Sequence, residues 1–204
     1  MDEENAIKII LIGESGVGKT NLINVFFGKE FNINTVSTST SYFFEGKYKY
    51  NNNNYFYNIW DTAGQEQYRS LNKLFIKDAK IVLCVYSINS AESFDQMEFW
   101  INYVKDILAE GSYILGIVAN KSDLYLEQNV TEEQGRNLAE KHNCDFVITS
   151  ALTNVEGFKE FVNELIEKCI NNLLGIGSKD PNNRGFNINK KGQNTTQKKK
   201  ICCK

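Results

Sequence analysis

Three short runs of residues have types and spacings that could do chemistry. The first is Gly13-Glu14-Ser15-Gly16-Val17-Gly18-Lys19-Thr20, which matches G-x-x-x-x-G-K-[ST]. Glycines at these positions let successive backbone N–H groups of Ser15, Gly16, Val17 and Gly18 turn inward, and a helix beginning at the end of the run adds partial positive charge. Such a loop cradles phosphates, with the Lys19 ammonium reaching the β and γ groups and the Thr20 hydroxyl ligating Mg2+. The second run is Asp61-Thr62-Ala63-Gly64-Gln65. Here Asp61 supplies an acid that reaches Mg2+ through water, Gly64 offers an unobstructed N–H to a γ phosphate, and Gln65 orients an attacking water. The third run, Asn120-Lys121-Ser122-Asp123, reads a base. A carboxylate at Asp123 accepts from both guanine N1–H and the N2 amino group, which adenine cannot match, so GTP and GDP are favoured over adenine nucleotides. Lys121 can lay its aliphatic stem on the purine, and Asn120 can tie this loop to the phosphate loop. Ser150-Ala151-Leu152 offers backbone N–H groups to guanine O6.

These runs need a scaffold that brings them to one edge, and the pattern of elements supplies it. Residues 7–12 are short, β-branched and nearly all apolar, as in a strand buried on both faces of a parallel sheet, and 21–27 suit a helix packed on it. Residues 28–40 lose periodicity and read as a loop. Strands are predicted at 42–50 and 55–60, with Asn51 to Asn54 as the hairpin turn, forming the sheet's one antiparallel edge. An irregular helix is predicted to reach about Lys77. A strand over 80–87 follows, then a single helix from an Ser90 N-cap through Leu108, closed by Gly111. A strand over 113–119, a helix capped by Thr131, a strand over 145–149 and a helix over 155–174 complete the pattern. The fold class predicted is α/β, a P-loop NTPase with a six-stranded, mostly parallel sheet, one antiparallel edge strand and five helices; by resemblance, the three runs together make it a small G domain. Each chemical run then falls at the C-terminal end of a strand, where open α/β sheets bind ligands.

The chain has 204 residues, enough for one well-buried domain, predicted over 1–174, and a disordered tail over 175–204. Gly175 onward holds eight Lys or Arg against one Asp, so the tail carries +7; the whole chain being −2, the first 174 residues carry −9. An acidic body with a basic tail argues against nucleic-acid binding and for an anionic membrane surface. No apolar run approaches the roughly 20 residues that span a bilayer, and the acidic start is unlike a signal peptide, so an intracellular protein is expected. The five cysteines show no metal-ligand spacing. His142, the only histidine, falls in a polar helical stretch and is expected to be solvated, which leaves no histidine-based catalysis.

Taken together, the three runs resemble those of a Ras-superfamily small GTPase, and residues 59–66 with the tail resemble the Rab family. The resemblance covers about residues 6–174. It implies that Phe31 stacks on guanine, that Thr38 is the switch threonine reaching both Mg2+ and the γ phosphate, and that Phe43 and Trp60 face effectors. It further implies that Cys202 and Cys203 form a double-geranylgeranylation signal, since a C-a-a-X box would need its Cys where Ile201 stands. Two lipid chains beside Lys198, Lys199 and Lys200 would anchor the protein stably. Three departures stand out: Ser39-Thr40-Ser41 after the switch threonine, Phe75-Ile76-Lys77-Asp78 where Rabs commonly carry Tyr-Tyr-Arg-Gly, and Leu152 in place of the guanine-loop lysine.

The expected function is a GDP/GTP switch in vesicle trafficking that hydrolyses GTP by in-line attack of water. Its partners by resemblance are an exchange factor, a GTPase-activating protein, a GDP-dissociation inhibitor, the prenylation machinery and effectors. By the same resemblance it is a monomer on the cytoplasmic face of intracellular membranes, cycling through the cytosol. The residues also admit a GTP-loaded scaffold that scarcely hydrolyses, a Ras-superfamily switch outside trafficking, and, against Asp123, a P-loop ATPase or small-molecule kinase.

Overall fold

The structure is a computed structural model and describes residues 6–32, 42–61 and 72–176. Six strands form one sheet: β1 (Ile7–Ile12), β2 (Tyr42–Tyr50), β3 (Asn53–Asp61), β4 (Ile81–Ser87), β5 (Ile114–Asn120) and β6 (Asp145–Ile148), in the spatial order β2-β3-β1-β4-β5-β6. Only β2 and β3 pair antiparallel; all other neighbours are parallel, as the alternation of strand and helix predicts. The helices are α1 (Lys19–Phe26), α2 (Asn72–Ile76), α3 (Ala91–Asp95), α4 (Met97–Ile107), α5 (Glu132–Lys141) and α6 (Val155–Leu174).

Strand periodicity divides the core in two. Alternate residues Ile7, Ile9 and Leu11 of β1, with Leu83 and Val85 of β4, face α1 and α6 through Leu22, Ile23, Phe158, Val162 and Leu165. Their neighbours Ile10, Ile12, Val82, Cys84 and Tyr86 face the other helices through Ile76, Met97, Trp100, Leu138 and Ala139. A strand whose every residue is claimed by one layer or the other has to be apolar throughout, which explains the composition of β1 and β4.

Three local expectations are corrected. The hairpin turn uses two residues, not four: Asn51 and Asn52 take φ 48° and 63°, the pair of left-handed conformations that a tight two-residue turn demands. Asn53 and Asn54 therefore join the ladder opposite Tyr50 and Lys49. The helix expected to run unbroken from Ser90 divides at Gln96, giving six α-helices among the described residues instead of five. Ser90 caps as expected, accepting from the Ser93 N–H, but Ser93 Oγ also bonds Ser87, hitching the first turn to the end of β4. The second segment packs on the sheet separately and ends at Ile107, where Leu108 turns extended; Gly111, at φ 75°, lies in the turn beyond. His142 is not solvated: its side chain is 6 % exposed. Its Nε2 lies 3.0 Å from Glu98 on α4 and its Nδ1 2.8 Å from Lys105 Nζ.

Other ends follow the sequence closely. Thr131 and Gln134 form a reciprocal capping box on α5. Asn154 caps α6, whose last residue Leu174 is followed by left-handed Gly175.

Candidate functional site

The C-terminal ends of β1, β3, β5 and β6 converge on one edge. Between β1 and α1 the glycine loop passes hard against its neighbours: a Cβ on Gly13, at φ 144°, would lie 2.1 Å from the Val85 carbonyl oxygen of β4. One on Gly18, at φ 98°, would lie 2.4 Å from Asn120 Nδ2. Neither position admits a side chain, and Gly18 forms the left-handed N-cap from which α1 starts. Lys19 is buried at 4 % exposure, and its ammonium donates to the carbonyls of Gly13 (2.8 Å) and Glu14 (2.9 Å). The cation is thus held inside the loop by two of its carbonyls.

Thr20 follows in the first turn of α1. Asp61 is buried at the end of β3, in register with Leu11 two residues before the loop. A hydroxyl and a carboxylate are hard oxygen donors, few in number, and suit Mg2+, which keeps waters and phosphate oxygens for its remaining positions. Among the described residues no group of three or more His, Cys, Asp or Glu could hold a metal ion.

At the end of β5, Asn120 is 1 % exposed and faces two ways. Its Nδ2 donates to the Val17 carbonyl (2.8 Å), and its Oδ1 accepts from the Ala151 N–H (3.2 Å). The bond to Val17 is the tie to the phosphate loop that the sequence suggests, and the bond from Ala151 adds the loop after β6 to it. Lys121 adopts a left-handed backbone, φ 63°, and its Cε lies 4.0 Å from the position a Gly18 Cβ would take, so its stem runs beside the glycine loop. The chain then tightens into a 3-10 turn, Ser122–Glu127. Asp123 accepts a hydrogen bond from Ser150 Oγ. That hydroxyl in turn accepts from the Leu152 N–H (3.0 Å) and the Thr153 N–H (3.1 Å). Sequence reasoning gave Ser150 only a backbone role; its side chain, fully buried, sets the carboxylate. The N–H groups of Ala151 and Leu152 are both directed within the protein, at Asn120 and Ser150, and the Leu152 side chain is exposed.

Phe31 is half-buried against the α1/α6 side of the core. Its neighbour Asn32 exchanges hydrogen bonds with Asn21 of α1, which fixes where the chain leaves the helix. Thr38, Gly64, Gln65, Cys202 and Cys203 lie outside the described residues.

Away from this edge, Phe43 stacks on Trp60 at 4.7 Å, and Trp60 lies 6.1 Å from Phe75. Lys8 Nζ sits 5.1 Å over the Trp60 ring and donates to the Lys77 carbonyl at 2.8 Å. Asp78, standing where the resembled family carries Gly, takes φ 65°, a conformation Asp tolerates better than most residues.

A glycine loop joining the first strand of a mostly parallel sheet to its first helix defines the phosphate-loop class of α/β proteins. The family model described as the Ras family matches residues 8–171. Among curated proteins, the chain is 36 % identical to Ras-related protein RGP2 of Oryza sativa subsp. japonica over 169 residues, 83 % of this chain and 75 % of that one. It is 37 % identical to Ras-related protein Rab-11B of Dictyostelium discoideum over 183 residues, 88 % and 82 % of the two chains. With Ras-related protein Rab11B of Nicotiana tabacum it shares 34 % over 207 residues, 99 % and 94 %. The chain belongs to the Ras family of small GTPases.

Proposed function

We propose that this protein is a Rab-type switch that binds GDP and GTP, hydrolyses GTP, and recruits effectors in vesicle traffic. The observation that carries the nucleotide reading is the double use of Asn120, which joins a phosphate loop to a loop presenting the Asp123 carboxylate. A site built to hold one molecule at both ends needs a ligand with phosphates at one end and a hydrogen-bonding base at the other. Kinship with Rab proteins of plants and Dictyostelium supports the trafficking role.

In this reading Ser15, Gly16, Val17, Gly18, Lys19 and Thr20 hold the phosphates, with Lys19 neutralising charge that builds on the β and γ groups. Asp123 pairs with guanine N1–H and N2, Lys121 covers a purine face, Phe31 stacks on the guanine, and the loop at Ser150, Ala151 and Leu152 closes over O6. Thr20, Thr38 and Asp61 would hold Mg2+, which when bound offsets negative charge between the β and γ phosphates. Gly64 donates its N–H to the γ phosphate. Gln65 orients the water for in-line attack on the γ phosphorus; as the water–phosphorus bond forms, the bond to the β–γ bridging oxygen breaks, GDP departs and inorganic phosphate remains. Unaided sites of this kind turn over at roughly 10⁻⁴ per second, and an arginine supplied in trans adds about 10⁵-fold. An activating protein and an exchange factor are therefore part of the reading, with a GDP-dissociation inhibitor and prenylation machinery serving the tail.

Residues 1–174 act as the GTP-binding domain. Residues 175–204 act as a tail anchored through Cys202 and Cys203 to the cytoplasmic face of an intracellular membrane. Among the described residues no helix is long and apolar enough to cross a membrane, which suits attachment from outside the bilayer.

The test is nucleotide content and turnover. Protein purified with Mg2+ should release guanine nucleotide, and single-turnover hydrolysis should be slow in the wild type and slower by about 10-fold or more in Gln65→Leu. Guanine nucleotide with no hydrolysis in either form would replace the switch with a scaffold. Adenine nucleotide, or none, would overturn the assignment of Asp123.

A further inference from the structure

The glycine loop carries an acid, Glu14, beside the place where phosphates are to bind, and a negative side chain there opposes an anionic ligand unless something holds it. The structure shows what holds it. Trp100, 1 % exposed in the middle of α4, donates its indole Nε1–H to Glu14 Oε1 at 3.1 Å across 86 residues of sequence. The ring has little freedom, with Phe99 edge-on at 5.3 Å and Tyr103 edge-on at 6.3 Å, and its backbone N–H bonds Gln96 at the start of α4. Glu14 is bound at both ends, since its own carbonyl accepts from Lys19 Nζ.

We propose that Trp100 is a positioning residue for the phosphate loop: its indole N–H anchors the Glu14 carboxylate to α4 and thereby fixes the carbonyl through which Glu14 holds Lys19. A neutral donor suits this task, because it bonds the carboxylate without adding a second cation to compete with Lys19 for the phosphates. The arrangement also joins the loop to the side of the core that contains Ile76 of α2, which α4 contacts as well. The inference rests on the nucleotide-binding reading above.

The experiment measures release of a fluorescent GDP from Mg2+-loaded full-length protein in wild type, Trp100→Phe, Glu14→Ala and the double variant. Removing the N–H while keeping the ring should speed release by about tenfold, the scale of a hydrogen bond to a charged group. In the Glu14→Ala background the same change should alter release by less than about twofold, because there is no carboxylate left to hold. Equal effects in both backgrounds would mean that Trp100 acts only by packing and would overturn the proposal, as would no effect of Trp100→Phe in the wild-type background.

A second measurement stands even if Trp100→Phe fails to fold. The chain has two tryptophans, so the 15N-indole spectrum has two side-chain peaks. Glu14→Ala should move the Trp100 peak upfield and leave that of Trp60 in place; an unmoved Trp100 peak overturns the contact. A wild type that binds no guanine nucleotide would end the function reading and the positioning role with it, whereas the indole shift would still report the bond by itself.

Discussion

The phosphate loop and the base loop stand side by side at the same edge of the sheet, yet they are held by different means. Residues 13–18 keep their path through backbone: left-handed glycines, a carbonyl of β4 against Gly13, and main-chain oxygens gathered by Lys19. The base loop keeps its path through side chains, an Asn120 amide and a Ser150 hydroxyl that each serve two or more partners. In the first, glycines leave room for the backbone and side chains only brace it from outside; in the second, polar side-chain ends set the path themselves. Damage should follow the same division, steric and general in the first loop, chemical and selective in the second.

The strongest break is Gly13→Ala. Its Cβ would meet the Val85 oxygen at 2.1 Å, and backbone on both sides cannot yield independently. A cost of about 3 kcal/mol is expected, a fall in Tm of about 10 °C for a chain of this size, together with loss of retained nucleotide. Thermal unfolding followed by circular dichroism checks it, and a melt within about 2 °C of wild type would dismiss the steric account. Next, Asp123→Asn should weaken GTP binding by about 100-fold while xanthosine nucleotide gains, with the melting temperature of the nucleotide-free protein little changed. Competition binding with the two nucleotides reads this directly, and parallel losses for both would count against side-chain selectivity. Ser150→Ala should cost less, about tenfold in GTP affinity with no gain for xanthosine nucleotide, because Asp123 keeps its charge but loses its donor.

A trio of side chains outside both loops sets the floor of the scale. Lys141 and then His142 hydrogen-bond Glu98 between α4 and α5 and hold its carboxyl below the ordinary carboxylate range. A folded-state pKa below the unfolded one gives stability that is present above about 4.5 and is lost as pH falls through the folded value. The Glu98 side chain is 39 % exposed, so solvent screens the contacts and Glu98→Gln should cost under about 1 kcal/mol at neutral pH. That cost should disappear in acid, as denaturant titrations at pH 7 and pH 3 would reveal.

What the sequence displays is what chemistry and periodicity write into neighbouring residues. The glycine spacing, the buried β1, the Thr131 capping box and the limits of α6 at 155 and 174 are all local, and the structure has them where the pattern predicts. The hairpin misled because four asparagines look alike, and only the ladder decides which two turn and which two pair. Gln96 carries no breaker chemistry; the helix divides there because Ser93 is tied to the end of β4. His142, Trp100 and the Ser150 hydroxyl were illegible for one shared reason. Their partners lie 44, 86 and 27 residues away, and no window of sequence brings those residues together before the sheet does.

Consider last the direction in which α6 leads the chain. It begins four residues after Ala151, and twenty helical residues carry it about 30 Å from there. Tyr48 and Tyr50 of the hairpin are bonded to its second half through Glu167 and Asn171, so it is braced along its length. The chain therefore departs at the far end of the domain from the base loop. A lipid anchor in the tail, as proposed, would therefore join the domain at the end opposite its nucleotide mouth and leave that mouth open to large visitors.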